Sequence, residues 1–323
     1  MTGTSNAIRP APPPSKWVPG VSAGQPVRES AAQILRVRLQ AVWYWLPLAA
    51  EKSDEDPEYV HQLRISSRRA VEAVRLFSNL VERAGCRDFR ERLRQIRRAA
   101  DAARNWDVLA ARFIGHPGIL DAIRREVRKQ RAEAQVAVVS VDREMPCRAF
   151  EQQIEELAEA VRKQTRKKAL RTLGEQAPQY LNKAWRRFFR AAVANLSDDD
   201  RLHELRIEAK KLRYTMEPLS PAFEPAFREG LYPQITFLQD FLGRINDHAM
   251  ARALLTEWHS RTRVAAEKAF LTGMLAAEER AHDDLRQTFL AYWTRDNIAA
   301  LSKQFRKYCR RGRPPRGKTA SKS

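Results

Sequence analysis

From about residue 29 to residue 310, apolar side chains return at intervals of three and four, the period of a helix with one packed face and one solvated face. Alternating β-branched runs do not occur in this stretch and glycines are few, so the pattern predicts an all-α chain. Residues 60–77, VHQLRISSRRAVEAVRLF, show it most sharply. At about 100° per residue, Arg64, Arg68 and Arg75 fall within ~60° of His61. Val60, Leu63, Ala70, Val74 and Phe77 gather on the other side, which predicts a helix with an almost purely cationic face.

Residues 202–219, LHELRIEAKKLRYTMEPL, repeat this geometry. His203, Arg206, Lys210 and Arg213 share one flank, and Leu202, Leu205, Ala209, Leu212 and Met216 the other. Three more stripes follow: Arg90, Arg94, Arg97 and Arg104 against Phe89, Ile96 and Ala103; Arg124, Arg128 and Arg131 with Gln135; Lys183, Arg187 and Arg190 against Leu181, Trp185, Phe188 and Phe189. Like charges so spaced repel by a few tenths of a kcal/mol per pair, so a counter-charge is expected to offset them. Acidic neighbours such as Glu72, Glu91 and Asp101 are one source, and a polyanionic ligand is another.

The shared His-x-Leu-Arg-Ile core recurs at His61 and His203, 142 residues apart. That is far longer than the ~20 to 50 residues of a solenoid unit, which points to duplication of a domain. Arg104-Asn105-Trp106-Asp107 and Arg244-Ile245-Asn246-Asp247 echo each other at nearly the same shift, and each is expected to close a helix. The chain therefore divides into halves at 29–147 and 148–310, each a bundle of about four helices. Prolines in residues 1–28 predict an extended, poorly ordered segment, and the basic, Pro/Gly-broken residues 311–323 predict a disordered tail. The acidic turns Ser53–Glu58 and Ser197–Asp200 precede the histidine segments and suit helix capping.

Composition sharpens the ligand question without closing it. Lys+Arg 59 against Asp+Glu 39 gives a formal net charge of +20, which favours nucleic acid, polyphosphate or an acidic membrane surface. Aromatic side chains are not interleaved with the stripes as in single-strand binders; Trp43, Trp45, Trp185, Phe188 and Phe189 sit at core positions. The longest apolar run, residues 41–50, carries Pro47 and is about half the ~20 residues of a membrane span. Cys86, Cys147 and Cys309 have no metal-ligand spacing, and the first twenty residues lack a signal-peptide pattern, so a cytoplasmic location is expected.

His61 and His203 head their stripes without a second ligand at i+3 or i+4, which speaks against metal and for contact with an anion or a packing role. His248, His259 and His282 suit structural roles, and His116 in Gly-His-Pro-Gly belongs to a turn. Nucleophile motifs, phosphate-cradling glycine loops and paired carboxylates are missing, so no enzyme activity, cofactor or metal is expected. Asp107 and Asp247 read as capping or arginine-pairing residues.

The two histidine segments, with Arg68, Arg69 and Arg75 in the first and Lys210, Lys211, Arg213, Tyr214 and Glu217 in the second, resemble the signature helices of the CHAD domain family, the conserved histidine α-helical domain. The likeness continues through Leu238–Asp247 and covers residues 30–308. It implies two pseudo-symmetric helical bundles whose basic faces border a central groove or channel. It also implies non-catalytic binding of inorganic polyphosphate, often at polyphosphate granules. The stripes and the resemblance together give the expected contacts: His61, Arg64, Arg68, Arg69, Arg75, Arg97, Arg104, Arg124, Arg128, Lys183, Arg187, Arg190, His203, Arg206, Lys210, Lys211, Arg213 and Arg244. One departure is Val71, where the signature carries a further arginine. A nucleic-acid-associated protein is the alternative, and a metal-dependent phosphohydrolase a weaker third reading.

Overall fold

A computed structural model describes residues 16–81, 87–116, 118–145 and 147–309. The chain is all-α, as its periodicity predicts: among the described residues, β pairing is confined to one isolated bridge, Pro26 with Thr172. Two compact units emerge, one of residues up to Gly20 with Ala31–Gln164, the other of Val21–Ser30 with Thr165 onward. The first holds most of α1 (Val27–Glu51), then α2 (Glu58–Leu76), α3 (Ser78–Val81), α4 (Arg87–Ile114), α5 (Asp121–Arg143) and α6 (Cys147–Arg162). The second holds α7 (Lys167–Leu170), α8 (Leu173–Ala192), α9 (Asp199–Leu219), α10 (Tyr232–Arg261), α11 (Ala265–Tyr292) and α12 (Arg295–Cys309).

Three expectations need correcting. Among the described residues each unit has five α-helices longer than one turn where about four were expected, and the break between units falls after Gln164 where 147 was expected. Helix α6 stays with the first unit because Phe150 stacks on Phe89 at 5.3 Å and Arg36 grips Glu155 at 2.5 Å. The proline-rich segment is not loose throughout. Residues 1–15 lie outside the described part, but Val18 is buried and Arg38 donates to the Lys16 carbonyl at 2.5 Å in the first unit. In the second unit, residues 23–27 run against 171–174 with three backbone hydrogen bonds of 2.8 Å. A Cβ on Gly174 would stand 3.2 Å from the Ala23 carbonyl, tighter than an ordinary contact, so a larger residue would push the two segments slightly apart. The predicted tail at 311–323 lies outside the described residues, as do Cys86 and the side chain of Cys147.

Helix starts follow the acidic turns. Asp198 caps α9 by accepting the Arg201 N–H at 2.8 Å, and Asp56 accepts the Glu58 N–H at 2.8 Å ahead of α2. The apolar faces read from the sequence are buried: Val60, Leu63, Ala70, Val74 and Phe77 on α2, and Leu202, Leu205, Ala209, Leu212 and Met216 on α9. Burying such faces stabilises the fold by ~25 cal/mol per Å² of apolar surface taken from water, which holds each basic flank at the helix surface. Trp185 and Phe188 are core residues, with Trp185 stacked on Phe305 at 4.1 Å; Trp43, Trp45 and Phe189 are only half-buried.

Candidate functional site

In the first unit, α2 and α4 pack with their basic flanks along one seam. Arg90, Arg94, Arg97, Asp101 and Arg104 fall within an arc of about 80° on α4. Asp101 on this arc takes the Arg68 guanidinium at 2.7 Å, which turns the arc toward α2. Further along, His61 feels Arg104 electrostatically, and at the other end Arg75 shares a cleft with Arg90 and Arg94. The structure thus brings together His61, Arg64, Arg68 and Arg75 with Arg97 and Arg104, and Arg69 stands half-buried on the same helix.

This seam carries more cation than its own acids answer. Among the described residues, the buried Nδ1 of His61 has no hydrogen-bond partner and the buried Nε atoms of Arg97 and Arg104 find no acceptor. Burial is the main force holding the His61 pKa below its ordinary value, helped by Arg104 and Arg64 and opposed by Glu58. Unsatisfied buried donors cost about 1 to 3 kcal/mol each, so an anion with several acceptor oxygens is the natural complement.

In the second unit, α9 lies against α10. His203 Nδ1 is 2.9 Å from Asn246 Oδ1, whereas the buried Nδ2 of Asn246 has no acceptor among the described residues. Arg206 and Lys210 are half-buried on the same flank, one and two turns on. Lys211 is neutralised locally by Glu208 at 2.5 Å. Arg213 is committed elsewhere: its Nε donates to Gln239 Oε1 at 2.5 Å and its Nη1 lies 3.6 Å from Glu217, which is fully buried. Burial alone would lower the Arg213 pKa, but Tyr214, Glu217 and Tyr232 outweigh it and raise it. Tyr232 donates to Glu217 at 2.9 Å, and burial pushes its own pKa up to about 12. Arg213 is therefore a framework residue, because its charge answers a buried carboxylate.

The remaining expected contacts lie on other helices or other faces. Arg244 is exposed and lies about 140° round α10 from Gln239. On α8, Lys183 and Arg190 are exposed and Arg187 half-buried, on the side turned from Trp185 and Phe188. Arg124 is 3.5 Å from Asp121, Arg128 is exposed, and Arg131 is drawn to Asp107 at 2.7 Å and Asp54 at 2.9 Å. Asp107 is an arginine partner as expected, but it does not close a helix: both tetrapeptides lie inside long helices, α4 and α10. Burial raises the Asp107 carboxyl pKa against the opposing pull of Arg131.

Several contributors were not singled out from the sequence as site residues. Asn246 positions His203, and Asp101 orients Arg68. Both signals were present, Asn246 inside a repeated tetrapeptide and Asp101 on an arginine stripe, yet only the packing of neighbouring helices gives them partners. Among the described residues, no three His, Cys, Asp or Glu side chains cluster as a metal site would require, and no helix is long and apolar enough to cross a membrane.

Comparison with known proteins adds family and fold. The model of the CHAD domain family matches residues 33–256. The structure is similar to the crystal structure of the CHAD domain from the plant Ricinus communis, with a TM-score of 0.67 and 21% identity, covering 92% of this chain and 96% of that one. It is also similar to PptA from Streptomyces chartreusis, with a TM-score of 0.56 and 18% identity, covering 83% of this chain and 99% of that one. At these identities both likenesses speak to the fold alone. No curated protein matches the chain.

Proposed function

Because the chain belongs to the CHAD domain family, we propose that it binds inorganic polyphosphate without cleaving it, through the basic flanks of α2 with α4 and of α9, and that this binding targets it to polyphosphate granules. The observation that carries the reading is the set of buried nitrogens without a hydrogen-bond partner among the described residues: His61 Nδ1, Arg97 Nε, Arg104 Nε and Asn246 Nδ2. A helix rises ~1.5 Å per residue, so cations at i, i+3 and i+4 recur every ~5 to 6 Å and can follow successive phosphates of a flexible chain. Guanidinium groups grip phosphate oxygens in pairs, and each neutralised phosphate releases counterions.

Nucleic acid offers the same phosphate charge and is the second reading, favoured by the formal +20. Its bases would need stacking platforms, and Trp185 and Phe188 are spent in the core. The test is charge reversal followed by titration with labelled polyphosphate. Reversing Arg206 and Lys210 to Glu is expected to weaken binding at least about tenfold, a loss of ~1.4 kcal/mol. Reversing Arg310 and Arg311, which lie outside the described residues, is expected to cost about twofold or less. Equal losses from both pairs would show diffuse attraction and no site.

A further inference from the structure

Where the α2 and α4 seam ends, the first unit contains a cleft of about 310 Å³ whose lining differs in kind from the rest of the seam. Its floor is aliphatic, made by Val71, Val74 and Leu93, and its rim is cationic, made by Arg75, Arg90 and Arg94. Val74 and Leu93 are buried core residues, whereas Val71 is half-buried. Arg90 is braced at 3.4 Å by the Ser78 carbonyl at the start of α3. Carboxylates stand nearby, Glu72 at 3.7 Å from Arg75 and Glu91 at 3.1 Å from Arg94, but Glu91 is shared with Arg98 at 3.8 Å. Among the described residues the lining contains no carboxylate.

A polyphosphate chain is hydrophilic along its whole length and gains nothing from an aliphatic floor. Small-molecule sites characteristically pair an apolar lining with a few convergent polar groups, in cavities of about 300 to 1,000 Å³. We infer that this cleft binds a small amphiphilic anion, a phosphate or carboxylate head held by Arg75, Arg90 and Arg94 with an apolar body laid on Val71, Val74 and Leu93. Charge-assisted hydrogen bonds from the guanidiniums favour the head, and removal of the valine and leucine surface from water favours the body. The cleft shares Arg75 with the α2 flank of the polyphosphate reading, and its aliphatic lining is what sets its ligand apart.

The test uses the full chain and three probes: phenyl phosphate, hexanoate and inorganic phosphate, titrated calorimetrically at low salt. Phenyl phosphate or hexanoate is expected to bind at least about tenfold more tightly than inorganic phosphate, and which of the two binds better identifies the preferred head. Val71→Asp puts a carboxylate beside the rim and is expected to remove that preference. Arg94→Ala, at a side chain already 55% exposed, leaves the fold intact and is expected to weaken the organic anion about fivefold or more. Binding of the organic anions no tighter than inorganic phosphate, or binding unaffected by both substitutions, overturns the assignment. Polyphosphate affinity is measured on the same variants; its loss or retention reports on the other reading independently.

Discussion

His203 Nδ1 and Asn246 Oδ1 meet at 2.9 Å, joining the first turn of α9 to the middle of α10. With the amide oxygen accepting, the imidazole is held in one orientation at the head of its basic flank, and the amide nitrogen remains a donor. Asn246→Ala is expected to weaken polyphosphate binding by about 1 kcal/mol, near fivefold, the ordinary worth of one hydrogen bond. In a double-mutant cycle with His203→Ala the losses should not add, because both act through one ring. Fully additive losses would separate the two residues functionally.

His61 gives a pH dependence of definite sign. Its folded pKa lies below 6.5, chiefly through burial and the neighbouring Arg104. Between the two values the unfolded chain holds more protons, so stability falls as pH drops below 6.5 through the folded pKa. His61→Gln should lose less stability on acidification over that window, as read by denaturant titration at pH 7.5 and 5.5. A polyphosphate oxygen beside the ring would draw its pKa back up, so the NMR titration of His61 should shift to higher pH in the complex.

The network of Arg213, Glu217 and Tyr232 predicts a loss of stability rather than of binding chemistry. Glu217 is fully buried and the Arg213 side chain is 13% exposed, so Arg213→Ala leaves a carboxylate uncompensated. Removing one partner of such a pair costs about 3 to 5 kcal/mol, whereas replacing both by apolar side chains recovers most of it. Chemical denaturation of Arg213→Ala, and of Arg213→Met with Glu217→Leu, checks both statements.

The helices, their buried faces and their basic flanks were legible in the sequence because a period of 3.6 leaves its mark on every turn. Val60 to Phe77 and Leu202 to Met216 illustrate it: each apolar position marked from spacing alone is buried. Spacing along one helix does not, however, say what stands opposite. The stripe containing Arg213 looked uniform until Glu217 and Gln239 claimed its last cation, and Arg131 likewise left its stripe for Asp107 and Asp54. The end of the first unit was misplaced because a histidine repeat marks equivalent helices and carries no information about where α6 packs. Residues 16–28 were misread because proline content signals poor helix, while Val18 and the backbone of residues 23–27 find partners far along the chain.

A binding role without catalysis predicts that polyphosphate survives incubation with the protein. Together with Mg²⁺ or Mn²⁺ at neutral pH, free phosphate should stay at the level of a protein-free control over many hours. Sustained release that scales with protein concentration would make the chain a phosphohydrolase.

Competition tests the central claim most directly: that these basic flanks recognise polyphosphate as such. Labelled polyphosphate is bound to the full chain and challenged with unlabelled DNA and unlabelled polyphosphate at matched phosphate concentration. The account predicts that polyphosphate displaces the label at least about tenfold more effectively than DNA. Equal displacement by the two polymers would contradict it.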